Sequence, residues 1–132
     1  MTGVVYIVDD DETVRRSLCA LIESLRPDRV ESFASGEAFL TGGVVDQPAC
    51  LLLDIRIPGM GGLAVLEELK TRSADIPVIL MSGHSDAMPA DEDTPPNVVA
   101  FAEKPFWPQE LLDLVRKALQ FASSSDAATP PA

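Results

Sequence analysis

The chain has 132 residues, 46% of them hydrophobic, and a formal net charge of −11. That length suits one domain with a short tail, and no apolar run approaches the roughly 20 residues that cross a bilayer. An acidic surface without a basic stripe argues against direct contact with nucleic acid. The N-terminus has no basic start followed by an apolar stretch, so no secretory signal is expected and the cytoplasm is the expected location.

Val4 to Val8 is a short continuous apolar run rich in β-branched residues, the pattern of a strand covered on both faces. Asp11 can cap the helix that follows, in which Val14, Leu18, Leu21, Ile22 and Leu25 recur at helical spacing. Pro27 closes it. Val30 to Phe33 is a weaker second strand, and Ser35 to Leu40 a short second helix ended by Gly42 and Gly43. Cys50 to Leu53 is almost wholly apolar and is placed centrally as the third strand. Leu63, Val65, Leu66 and Leu69 mark a third helix running to about Arg72. Ile76 to Met81 and Val98 to Phe101 are the fourth and fifth strands. Leu111, Leu112, Val115, Leu119 and Phe121 mark the last helix, with Pro108 suited to its first turn.

The alternation predicts a doubly wound α/β fold, a parallel sheet wrapped by helices with right-handed crossovers. One stretch breaks the pattern. Between the fourth and fifth strands the chain reads SDAMPADEDTPPN, from Ser85 to Asn97. Pro89, Pro95 and Pro96 each cost roughly 3 kcal/mol in a helix interior, so an irregular, mobile loop with one helical turn at most is expected there. Residues 122–132 end in small polar residues and paired prolines and read as a disordered tail or linker after a domain over 1–121. Cys19 and Cys50 match neither a metal pair nor a redox CxxC and are expected as reduced core thiols.

Four apolar runs end in chemistry: VVYIV before Asp9, Asp10 and Asp11; CLLL before Asp54; PVILM before Ser82; and NVVAFAE before Lys104 and Pro105. In a parallel sheet the carboxyl ends of the strands share one edge, where ligands bind. Adjacent carboxylates at such an edge are costly unless a cation neutralises them. Magnesium takes oxygen ligands and keeps several waters, so Asp9, Asp10 and Asp54 suit magnesium or manganese if the first and third strands are neighbours. A carboxylate can also attack phosphorus and form an acyl phosphate. Asp54, alone at the end of the most buried strand, is the best acceptor, with Ser82 and Lys104 each able to meet one phosphoryl oxygen. Asp11 reads as a cap and Glu12 as solvent-facing. His84 reads as a loop residue, Trp107 and Met60 as cover for apolar surface, and Gly59, Gly61 and Gly62 as a turn. A cis Lys104–Pro105 bond is left open.

YIVDDDETVR, LLLDIRIPGMGG, VILMSGH and EKPF, in that order and at that spacing, resemble the response-regulator receiver domains, of the CheY-like kind, over about residues 3 to 121. The Ser-Gly-His and Glu-Lys-Pro-Phe strings are most similar to receivers of the nitrogen-fixation-regulator type. The resemblance implies a five-stranded sheet of order 2-1-3-4-5, with Asp54 as phosphoacceptor and Asp10 as direct metal ligand. It implies Asp9 acting largely through water, the backbone carbonyl of Arg56 as a further ligand, and Ser82 and Lys104 on the phosphoryl group. Phe101 takes the aromatic position whose rotamer follows the hydroxyl. The implied partners are a sensor histidine kinase or phosphotransfer protein, then a downstream effector or a second copy, and the implied activity is self-phosphorylation with slow self-dephosphorylation, with no metabolic turnover. The proline-rich stretch departs from the family at the helix before the fifth strand, which leaves a receiver-fold interaction module without phosphate signalling as the alternative. An aspartate-nucleophile phosphatase of the haloacid-dehalogenase type is disfavoured, because it wants a carboxylate where this chain has Arg56.

Overall fold

The computed structural model describes residues 3–42, 48–72, 75–83 and 96–128, the last six of these through their backbone alone. The described residues form five strands, β1 (Val4–Val8), β2 (Arg29–Phe33), β3 (Ala49–Asp54), β4 (Val78–Ser82) and β5 (Val98–Glu103), with α1 (Glu12–Glu23), α2 (Gly36–Gly42) and α3 (Gly62–Thr71) after the first three and α4 (Pro108–Ala128) after the fifth. All strand pairs are parallel, in the order β2-β1-β3-β4-β5.

The continuous apolar runs work because the central strands face a core on both sides. Val4, Tyr6, Val8, Leu51, Leu53, Val78 and Leu80 pack with Phe39, Val65, Leu66 and Leu69 of α2 and α3. Val5, Ile7, Cys50, Leu52, Ile79 and Met81 pack with Leu18 and Ile22 of α1 and Leu111, Val115 and Leu119 of α4. Period-two alternation within each strand sends neighbours to opposite layers. Cys50 lies in the second layer and Cys19 against it, and burial pushes the Cys50 thiol up to about 12, so it stays a protonated core group.

Several boundaries shift. β4 starts at Val78, because Pro77 has no N–H for the ladder; Ile76 is still buried and its carbonyl accepts from Asn97 Nδ2 at 3.1 Å. α4 runs to Ala128, past the expected end at Phe121; the alanines and serines there sustain a helix, and no proline intervenes before Pro130. Leu63 and Phe121 were counted on apolar faces but are 44% and 57% exposed. Each falls off the stripe its helix buries, set by Val65, Leu66 and Leu69 in α3 and by Leu111, Val115, Ala118 and Leu119 in α4. His84 and the Ser85 to Asn97 segment lie outside the described residues, apart from Pro96 and Asn97.

The chain leaves β1 toward β2 and returns on the other side with β3, so the switch point of the sheet lies between β1 and β3. Val8 is in register with Leu53, which sets Asp9 and Asp54 side by side just beyond the ladder.

Candidate functional site

Asp9 is fully buried, and each of its polar atoms has a partner. Its N–H continues the β1–β2 ladder to the Phe33 carbonyl at 3.1 Å. Its carbonyl accepts from Arg15 Nη1 at 2.8 Å, its Oδ1 from the Asp11 amide at 2.9 Å, and its Oδ2 from Lys104 Nζ at 2.8 Å. Asp54, 4% exposed, accepts at Oδ1 from the Arg56 amide at 3.0 Å and at Oδ2 from the same Lys104 Nζ at 2.8 Å. Lys104 is aimed by its own backbone, whose N–H donates to the Ser82 carbonyl at 2.7 Å and so extends the β4–β5 pairing past Glu103. The bond from Lys104 to Pro105 is cis.

The loop after Asp54 is fixed by close packing. A Cβ on Gly62 would lie 2.6 Å from the Asp54 carbonyl and 2.8 Å from Ile55 Cα, so only glycine lets α3 start against that backbone. Gly59 sits at φ +74. The turn reading of these glycines therefore stands, and no ligand is needed to explain them. Asp11 caps α1, accepting at Oδ1 from the Thr13 and Val14 amides at 2.9 and 3.3 Å. Glu12 is exposed and pairs with Arg16.

Carboxylate oxygens of Asp9, Asp10 and Asp54 all lie within 4.8 Å of one another. Trans oxygens on a magnesium ion are about 4.1 Å apart, from its metal–oxygen distance, so the cluster is near ligating size and its donors are the hard oxygens such an ion takes. Three carboxylates facing one ammonium leave the cleft with the excess negative charge of one dication. Burial pushes the Asp54 carboxyl above its ordinary 3.8; the hydrogen bonds from Lys104 and the Arg56 amide oppose this, and the Asp9 charge adds to it. For Lys104 burial pulls downward, but the hydrogen bonds to Asp54 and Asp9 outweigh it and hold the ammonium above its ordinary 10.5.

The four strand ends do converge. Asp10 is exposed at the rim of the cluster, and Ser82 is buried at the end of β4, one residue beyond Met81, the partner of Asp54. Arg56 is exposed, and its amide serves Asp54. Phe101 stands apart. It pairs with Leu80, is 45% exposed, and belongs to the outermost strand of the described sheet, which has a neighbour on one side only. Its ring and those of Phe106 and Trp107 line a groove of about 780 Å³ that also reaches Lys104. Trp107 is 75% exposed and covers little, whereas Met60 does pack on the core. Sequence reasoning missed Arg15, and it read Gly62 as part of a turn without the close packing that requires a glycine there. Both lie inside the quoted motifs, but their value depends on backbone atoms, which no residue pattern displays.

A parallel sheet of this order, with buried acids and a bridging lysine at its switch point, defines a signalling receiver of the α/β class. The family model described as "Response regulator receiver domain" matches residues 5–116, and the chain belongs to that family. It is similar to "Response regulator protein TodT" of Pseudomonas putida, 39% identical over 128 residues that span 97% of this chain and 56% of that protein. It is also similar to "Transcriptional regulatory protein FixJ" of Azorhizobium caulinodans, 40% identical over 115 residues, 87% of this chain and 54% of that protein. The solved structure of response regulator StyR superposes with a TM-score of 0.89 at 34% identity, covering 97% of this chain and 64% of that one. The chain spans about half the length of the curated relatives it matches. It is thus a receiver domain of two-component response regulators, a signalling module whose kind works with histidine kinases and effector domains.

Proposed function

We propose that Asp54 is the phosphoacceptor. The observation that carries this reading is the single ammonium of Lys104 held 2.8 Å from both Asp9 and Asp54, with Asp10 at the rim. One Asp54 oxygen attacks the phosphorus of a phosphohistidine on a sensor kinase or phosphotransfer protein. An O–P bond forms, the N–P bond breaks, and the imidazole leaves and takes a proton from solvent. Asp9, Asp10, Asp54 and the Arg56 carbonyl would hold magnesium or manganese, with Asp10 direct and Asp9 largely through water; when bound, the ion offsets the charge of the cleft and of the phosphoryl oxygens. Lys104, already placed, meets one phosphoryl oxygen, and the Ser82 hydroxyl meets another from the next strand.

Asp54 then carries more negative charge than the free carboxylate, and Lys104 must divide itself differently between Asp54 and Asp9. That redistribution biases the residues around Ser82 and the ring of Phe101 between two arrangements. The output passes to an effector or a second copy of the chain, in the cytoplasm, from a receiver unit over 1–121. The domain phosphorylates itself from a donor and loses the phosphate slowly.

The test is intact mass after incubation with acetyl phosphate and magnesium. A phosphate-sized gain that vanishes in Asp54→Asn is expected. No gain, or the same gain in that variant, would sink the assignment.

A further inference from the structure

Asp10 is exposed, so packing does not fix where its carboxylate points. Its aim comes from the backbone before it, and that backbone is held by Arg15. Arg15 Nη1 donates to the Asp9 carbonyl at 2.8 Å. The peptide unit is planar, so fixing that oxygen also fixes the N–H and Cα of Asp10. Arg15 is itself set in the first turn of α1, where its amide donates to the Asp11 carbonyl at 2.9 Å, and Asp11 both caps that helix and donates its amide to Asp9 Oδ1. Arg15, Asp9 and Asp11 form a closed loop of hydrogen bonds around the Asp9–Asp10 peptide.

We propose that Arg15 is a positioning residue for the cation site, orienting the Asp9–Asp10 peptide so that both carboxylates face the ion. The inference rests on the acidic cluster being a cation site. Its sign separates it from simple electrostatics. A guanidinium bonded to the Asp9 carbonyl, one residue from Asp10, repels a dication held by these acids, so if charge were its only effect, removing it would tighten binding. If it orients the ligands, removing it loosens binding, as loss of outer partners does at metal sites, by about 10-fold or more.

The experiment is a magnesium titration of the whole chain, followed by amide NMR shifts and by calorimetry. It compares the parent with Asp10→Asn, Arg15→Ala, Arg15→Lys and Arg15→Met, with thermal melting recorded alongside. Arg15→Ala should weaken magnesium binding about 10-fold, and Arg15→Lys, which keeps a donor on a flexible stem, should recover part of that loss. A role confined to stability would lower the melting temperature and leave the affinity alone. Unchanged or tighter binding in Arg15→Ala overturns the proposal, as does equal weakness in Arg15→Lys. If Arg15→Ala does not fold, Arg15→Met, which keeps the stem and has no donor, carries the same comparison. Identical titrations of the parent and Asp10→Asn would remove the cation site and this inference with it, whereas a flat Arg15 series beside a defective Asp10→Asn removes this inference alone.

Discussion

At the carboxyl edge of β1 and β3, Asp9 is wholly buried and every polar atom it has is partnered; on the outer face of β5 and the start of α4, Val99, Phe101 and Trp107 are 40%, 45% and 75% exposed. The two regions meet at Lys104, which follows β5 and lines one groove with Phe101 and Trp107 while its ammonium reaches the acids. They differ in what holds them. Buried charge is tolerated only when paired and hydrogen-bonded, so the first region is over-determined. Exposed apolar side chains are ordinary on a protein surface and are individually cheap. Substitution is therefore costly at the acidic edge and cheap on the adjoining face.

The sharpest way to break that contrast is to remove the lysine and leave the acids. Lys104→Met keeps an unbranched apolar stem and strands two buried carboxylates with no cation between them. Breaking a fully buried pair costs about 3–5 kcal/mol; the lysine side chain is 27% exposed, so about 2 kcal/mol is expected after solvent screening. The loss should shrink as acid protonates the carboxylates, and magnesium should restore part of it. Chemical denaturation at several pH values, with and without magnesium, measures this, and an unchanged midpoint at neutral pH would mean that the bridge carries no stability.

The contribution of Asp54 itself should be smaller and has a definite pH signature. Its carboxyl is held above 3.8, chiefly by burial, so the folded chain takes up this proton more readily than the unfolded chain. Between 3.8 and the folded value, this group's contribution to stability therefore falls as pH rises. Asp54→Asn removes that decline and leaves Lys104 paired with Asp9, so its stability relative to the parent should grow as pH climbs through the window. Lys104 behaves in the opposite range. Its raised value gives stability that is fully present below 10.5 and is lost as pH rises through the folded value. A parallel offset between Asp54→Asn and the parent across the acid range would show that burial of this carboxylate carries no cost.

The strands and the site edge were legible in the residues because their signals are local. Val4 to Val8 is β1 to the residue, Asp11 caps α1 as its type and place demand, and Asp9, Asp54, Ser82 and Lys104 each follow an apolar run. The neighbour relation of β1 and β3 was different. Periodicity could only make it a condition, and strand order came with the family resemblance. Helix faces failed at Leu63 and Phe121, which fall off the stripes their helices bury, since apolar type alone does not decide which residues join the stripe. How far Phe101 is covered was not legible either, because cover on an edge strand depends on packing beyond that strand. Arg15, and the reason position 62 must be glycine, stayed hidden because both depend on main-chain oxygens of Asp9 and Asp54, and the sequence records side chains only.

The smallest effect belongs to the exposed face and tests whether it is as loosely held as it looks. Trp107 is the chain's one tryptophan, 75% exposed, just ahead of α4, and its carbonyl, which any residue would supply, accepts the Leu111 amide at 3.0 Å. Truncation to alanine therefore removes a ring already mostly in water and leaves the helix start intact. Trp107→Ala should change unfolding free energy by no more than about 0.5 kcal/mol, the range for surface positions, and should leave phosphate uptake by Asp54 at the parental rate. Denaturation followed by circular dichroism and intact mass after reaction with acetyl phosphate read the two quantities separately. A loss approaching that of Lys104→Met would mean that the indole is packed in solution, and the division into a rigid acidic edge and a permissive outer face would then fail at the residue where it is most exposed to test.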